Sequence, residues 1–464
     1  MRAFLLPWAL VALALTGCGE VPAADEAGAE ALPAAAAIEE ASDEAEESSQ
    51  PAEELSGSED EPSQPAGVSS KPAAAEAEGR EETTGRSGPE TGVPPFERPE
   101  HIRGIYLNAW ASGSRARREA LIEMAGRTEV NTFVIDVKDA TGFVSYETGV
   151  EMARQVGADQ ELRIHGMEAL LRRLHDEGIY PIARIVVFKD HLLARERPDL
   201  AVQDSAGGPW VDGNGEVWVN PYAQEVWAYH VALAREAAEL GFAEIQWDYI
   251  RFPDRPASEL ERAVFPGADG RTRSQAIRDF LTWSRDELSD LDVPLTGDVF
   301  GVAASSSRDV GIGQLWEDLV DAVDVILPMI YPSHYWPGSF GIDDPNAHPY
   351  EVVKRSLEYA VRRSEAVEGA ARVIPWLQDF TLGPPRYGAP EVRAQILAAA
   401  DAGVHEWILW NASGRYTEEA LEPTGGWAEG QEPLIRVGGR LIPSAERSLP
   451  AQEADAAPVG EGWR

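Results

Sequence analysis

The sequence predicts an α/β protein whose folded part is a single (β/α)8 barrel, preceded by a signal peptide and a disordered acidic linker. The first observation behind this is a strict alternation, between residues 100 and 425, of short β-prone runs with longer amphipathic runs. Such alternation gives parallel strands joined by helical crossovers. The second is the count: eight such runs suit a closed barrel better than an open doubly wound sheet. An open sheet would usually place a glycine-rich phosphate loop after its first strand, and Trp110-Ala111-Ser112-Gly113-Ser114 is not one. The third is that polar residues gather where each strand should end, after apolar residues that precede them. In parallel strands buried on both faces, that is where a barrel collects its functional groups.

Taken in order, strand one is expected at 102–110, ending in Tyr106, Asn108 and Trp110. Strand two, at 131–139, contains F-V-I-D-V-K-D and delivers Asp136, Lys138 and Asp139. Strand three, at 180–188, carries Arg184, with Lys189 and Asp190 just beyond. Strand four, at 242–252, includes E-I-Q-W-D-Y-I-R-F and brings Gln246, Asp248 and Arg251 to its end. Strand five, at 294–301, reads L-T-G-D-V-F-G from Leu295 and gives Asp298. Strand six, at 322–331, runs into P-S-H-Y-W and supplies Tyr331, His334, Tyr335 and Trp336. Strands seven (372–380) and eight (404–411) give Trp376, Gln378 and Asp379, then Trp410 and Asn411. Helices are expected at 116–126, 166–177, 221–240, 274–291, 349–364 and 389–402. Several are followed by glycine (Gly178, Gly241, Gly403), which tolerates the left-handed turn after a helix.

The ends of the chain read differently. Arg2 and an apolar stretch over 3–15 lead to Leu15-Thr16-Gly17-Cys18, which resembles a bacterial lipobox. That resemblance implies a lipoprotein signal peptide at 1–17 and lipid attachment at Cys18, the only cysteine. Gly19 after the cysteine favours the outer membrane in a Gram-negative cell, so the expected location is the cell envelope. Residues 18–99 are rich in Ala, Glu, Pro and Ser and nearly devoid of large apolar side chains. Such a segment buries too little surface to offset its ordering entropy and is expected to be a disordered tether. Residues 426–464 are expected to form an irregular or disordered tail. The net charge is -39, and the barrel region is acidic too, which argues against a nucleic-acid partner. One cysteine excludes an intramolecular disulfide and a thiolate zinc site. The eight histidines show no HxxxH spacing, and no G-x-S-x-G elbow is present. No metal and no cofactor is expected.

The runs R-G-I-Y-L-N-A-W (103–110), V-I-D-V-K-D (134–139), I-A-R-I-V-V-F-K-D (182–190), G-F-A-E-I-Q-W-D-Y-I-R-F-P (241–253) and L-P-M-I-Y-P-S-H-Y (327–335) carry a family likeness. R-P-D-L-A-V, W-V-N-P and W-L-Q-D-F extend it. In this order they resemble a bacterial family of glycoside hydrolases, a barrel domain related to amylase-like and α-galactosidase-like barrels. The resemblance implies cleavage of glycosidic bonds, and it puts Asp248 where related barrels carry the nucleophile.

Glycoside hydrolysis needs two carboxyl groups flanking the scissile bond. Asp298, at the end of the next strand, is the candidate acid/base; Asp136, Asp190 and Asp379 also reach the mouth. Asp248 could instead be structural, paired with Arg251 or Lys138. Lys138, Arg184 and Arg251 could bind an anionic sugar, although neutralising nearby aspartates is the simpler role. Trp110, Trp336, Trp376 and Trp410 at four strand ends suit stacking on a pyranose, and Trp210 and Trp218 in the third loop could do the same. Asp136, Tyr331, His334, Gln378 and Asn411 complete the expected carbohydrate-binding set. The reading is a surface-tethered retaining glycoside hydrolase acting on an extracytoplasmic glycan. A non-catalytic glycan-binding lipoprotein is the alternative, and a metal-dependent carbohydrate deacetylase is a third possibility.

Overall fold

The structure, a computed structural model, describes residues 92–447. Cys18, the signal segment and most of the expected tether lie outside the described residues. Eight parallel strands close a barrel: β1 (Arg103–Leu107), β2 (Thr132–Lys138), β3 (Tyr180–Val186), β4 (Glu244–Asp248), β5 (Leu295–Phe300), β6 (Val325–Ile330), β7 (Trp376–Gln378) and β8 (Trp407–Trp410). Each pairs with its successor, and β8 returns to β1 through Gly104 opposite Ile408. A short piece, Arg372–Val373, pairs with β6 ahead of β7. Pro375, which has no N–H to donate, lies between the two pieces.

Alternation along the strands sorts side chains into two layers. Tyr106, Val134, Ile182, Leu327, Trp376 and Ile408 pack together in one buried cluster, which fills the barrel. Ile105, Phe133, Ile135, Ile185 and Leu409 belong to a larger one, shared with the surrounding helices. Those helices are α1 (Arg115–Arg127), α2 (Met167–Asp176), α3 (Gln224–Leu240), α4 (Arg273–Glu287), α5 (Pro349–Ser364) and α6 (Ala389–Asp401). Their ends follow local chemistry. Thr272 and Gln275 form a capping box at the start of α4. Gly241 ends α3 at φ 112, and a Cβ there would also crowd Val93.

Three features depart from the expected layout. Residues 93–99 belong to the fold and not to a tether, since Val93 is buried and Phe96 meets His175 edge-on at 5.4 Å. The crossover from β5 to β6 has only two short helices, Gly301–Ser305 and Trp316–Leu319. After β8 the expected irregular tail contains a hairpin, Ile435–Val437 with Arg440–Ile442, which packs against α5 and α6. Gly438 and Gly439 turn it, both at positive φ, as a two-residue hairpin loop requires.

The amino ends of the strands form a closed floor. Glu244, the first residue of β4, is buried within 3.7 Å of Arg98 and accepts from the Tyr180 hydroxyl at 3.4 Å. Arg98 also pairs with Glu406 at 3.1 Å. Burial outweighs the attraction of Arg98 and pushes the Glu244 carboxyl up to about 7 from its ordinary 4.5. Between those two values the unfolded chain gives up the proton that the folded chain retains, so stability falls as pH rises. Glu244→Gln should therefore melt close to wild type near pH 4 and above it near pH 8. Melting curves whose separation does not change with pH would count against this account.

Candidate active site

Asp248 is the last residue of β4, and the chain turns sharply after it. Tyr249 takes φ 50, a left-handed conformation that is costly for an aromatic residue and typical of functional sites. Its backbone N–H donates to Asp248 Oδ1 at 2.6 Å. The other oxygen is gripped by Arg184 of β3, through Nε at 2.8 Å and Nη2 at 2.7 Å. Arg184 Nη1 donates to Asp136 Oδ1 of β2 at 2.7 Å, and the Tyr106 hydroxyl of β1 donates to Asp136 Oδ2 at 2.5 Å. A polar chain thus crosses β1 to β4 inside the barrel. The guanidinium also lies 5.2 Å from the ring centres of both Tyr106 and Trp410, a stacked pair on one side of it. Burial raises the Asp136 carboxyl despite Arg184.

Asp298 stands beside Asp248. The registered pair Trp247 opposite Gly297 makes Asp248 and Asp298 the next neighbours across β4 and β5. Gln246 Nε2 donates to both Asp298 oxygens, at 2.9 and 2.8 Å, and the Trp376 indole N–H donates to Oδ1 at 2.7 Å. Burial, then the charge of Asp248, hold the Asp298 carboxyl well above the ordinary carboxylate range. The two acids thus have different surroundings: Asp248 is held by a guanidinium, while Asp298 favours its proton.

Both open on one cavity of about 890 Å³, counting space continuous with solvent. Of the residues expected at the mouth, Asp248, Asp298, Arg184, Arg251, Tyr331, His334, Tyr335, Trp336, Trp376 and Trp410 line it. Trp376 and Trp410 meet edge-to-face at 5.5 Å, and Trp410 stacks on Tyr106 at 4.1 Å. Burial pushes His334 down to about 4, so its ring is neutral near pH 7. Arg251 is packed among Trp218, Tyr249 and Phe300, with ring centres 4.9–5.1 Å from its guanidinium carbon.

The other expected residues are placed elsewhere. Asp136 lies behind Arg184 and does not line the cavity. A register shift between Asp136 and Lys138 sets Lys138 opposite Ile185, a residue of the outer layer. Its ammonium ends on the Val186 carbonyl at 2.8 Å and on Asp190 at 2.9 Å. The cation on Asp248 is thus Arg184, and Lys138 neutralises Asp190, which also caps the helix His191–Glu196. Gln378 is fully buried, accepting from the Ser333 N–H and hydroxyl and donating to the Phe380 carbonyl. Asn411 donates to the carbonyls of Asp379 and Arg415. Asp379, raised to about 6 by burial, accepts from Thr417. Trp110 lies under Arg163, while Trp210 and Trp218 are buried in a small loop core with Val202 and Tyr249.

Tyr249, Phe300, Val302, Gln314 and Met329 line the cavity without having been expected there. Phe300 and Met329 lie opposite each other, two residues beyond Asp298 and Leu327, so the two-residue strand period was a usable signal. Val302 comes from the short helix after β5 and Gln314 from the loop beyond it, where the two-residue strand period does not apply.

Several solved structures are similar. A hypothetical protein from Ruminiclostridium thermocellum ATCC 27405 is 37% identical, with a TM-score of 0.39, over 42% of this chain and 97% of that one. The glycoside hydrolase domain of PgaB (BpsB) from Bordetella bronchiseptica is 12% identical, with a TM-score of 0.49, over 69% of this chain and 95% of that one. The α-galactosidase TtGalA from Thermus thermophilus is 17% identical, with a TM-score of 0.39, over 70% of this chain and 61% of that one. No curated protein sequence matches. The family model described as "Putative glycosyl hydrolase domain" matches residues 104–416, from β1 to beyond β8, and the chain belongs to that family.

Proposed function

We propose that the barrel cleaves glycosidic bonds with retention of configuration, Asp248 acting as nucleophile and Asp298 as general acid and then base. The observation that carries this reading is the pairing of two neighbouring carboxyl groups with opposite environments on one aromatic cavity. Adjacent strands run about 4.8 Å apart, which favours the roughly 5–5.5 Å separation of retaining enzymes over the 6.5–9.5 Å of inverting ones. In the first step an Asp248 oxygen bonds to the anomeric carbon while the Asp298 proton passes to the departing glycosidic oxygen. In the second, Asp298 takes a proton from water, whose oxygen displaces Asp248. The half-buried ring of Trp336 suits stacking on a sugar ring, while the buried Trp376 and Trp410 shape the apolar wall behind it. The substrate we propose is an extracytoplasmic oligo- or polysaccharide, reached by a chain lipidated at Cys18 in the cell envelope.

The test is a glycan panel incubated with the full chain, with the anomer of the first-formed product followed by NMR. Retention is the expected result. Inversion would remove Asp248 as nucleophile, and binding without turnover of any glycan would favour the binding-protein alternative.

A further inference from the structure

We propose that Trp376 is a positioning residue for the acid/base: its indole N–H and the Gln246 amide fix the Asp298 carboxyl so that Oδ2 carries the transferable proton. This inference rests on the role given to Asp298 above. Oδ1 receives two donors, Gln246 Nε2 at 2.9 Å and Trp376 Nε1 at 2.7 Å, whereas Oδ2 receives only Gln246 at 2.8 Å. The doubly donated oxygen is the poorer site for a proton. Trp376 is itself held firmly. Its ring is 1% exposed and packs edge-on to Trp410 and Tyr106, with centres at 5.5 and 6.5 Å. One face of this tryptophan therefore serves the cavity wall while its nitrogen serves the acid.

The donors also temper a strong upward push. Asp298 faces the carboxylate of Asp248 on β4, the guanidinium of Arg184 on β3 and the phenol of Tyr331 beyond β6. Burial and Asp248 favour the neutral acid; Gln246, Trp376 and Arg184 favour the anion. Without the two hydrogen-bond donors the proton would be held too tightly to leave. A general acid works best when its pKa lies near the working pH, so a brake of this kind has a catalytic purpose.

Trp376→Phe keeps an aromatic ring and removes the N–H; Gln246→Met removes the amide at similar length. Both should move the Asp298 titration upward by roughly one pH unit or more, since hydrogen bonds to charged groups are among the stronger ones. The titration can be read from carboxyl-labelled aspartate in the full chain by NMR, with Asp298→Asn identifying the signal. The alkaline limb of kcat/KM should move in the same direction. kcat should fall roughly tenfold for substrates with poor leaving groups and much less for aryl glycosides that depart without a proton. An Asp298 titration identical in wild type and both variants would overturn the proposal; if Trp376→Phe fails to fold, Gln246→Met alone decides. Full activity of Asp298→Asn would instead remove the acid role itself, and the labelled titration would still report whether Trp376 controls this carboxyl.

Discussion

Asp248→Asn is expected to reduce kcat/KM roughly ten-thousand-fold, a barrier increase of about 5.4 kcal/mol, with a modest fall in melting temperature because its amide nitrogen replaces the oxygen that accepts from the Tyr249 N–H. An amide matches the carboxylate in shape but is a far weaker nucleophile. Arg184 would keep Asp136 at 2.7 Å, so the variant should still fold. Asp248→Gly, which leaves space beside the anomeric carbon, should regain part of the lost rate with added azide and yield a glycosyl azide. An azide of inverted anomeric configuration identifies the nucleophile, because azide attacking a glycosyl-enzyme in an acid/base variant would give the retained one. Turnover of Asp248→Asn within tenfold of wild type would sink the assignment.

Arg184→Met is expected to destabilise the barrel by about 3–5 kcal/mol, the usual cost of stranding a buried charge. Arg184 is 1% exposed and is bonded to two aspartates that are themselves 1% and 5% exposed. Removing it leaves two acids to share the interior without a cation. Lysine cannot replace it, since a single ammonium cannot repeat the three-nitrogen grip with its fixed geometry. Asp136→Asn in the Arg184→Met background should recover part of the loss, because one of the stranded charges is then gone. An unchanged denaturation midpoint for Arg184→Met would show that the chain from Tyr106 to Asp248 contributes little.

The barrel was legible because its signal is periodic. Val134 and Asp136 face one layer and Phe133, Ile135 and Val137 the other, and every barrel strand repeats that logic over a few residues. Asp248 and Asp298 were legible for the same reason, as charges at strand ends where apolar residues stop. The period failed where the backbone departs from it. The shift in β2 turns Lys138 away from the interior, and nothing in V-I-D-V-K-D announces it. Gln378 and Asn411 were misleading because a polar residue at a strand end can equally well satisfy neighbouring backbone, and here both do. Trp210 and Trp218 lie in a loop that builds its own small core, a tertiary event invisible to spacing. The hairpin at 435–442 is a different kind of omission. I-R-V-G-G-R-L-I does carry a turn signature, set in a glycine- and proline-rich stretch that hides it.

The segment at 93–98 enters on the closed end of the barrel, where Arg98 reaches Glu244 and Glu406, while Asp248 opens at the far end of the same strand. Arg98 thus ties the first described segment to the pole opposite the cavity. A substitution that loosens this leading strap should therefore weaken the base of the barrel while the grip of Arg184 on Asp248, at the opposite rim, is kept.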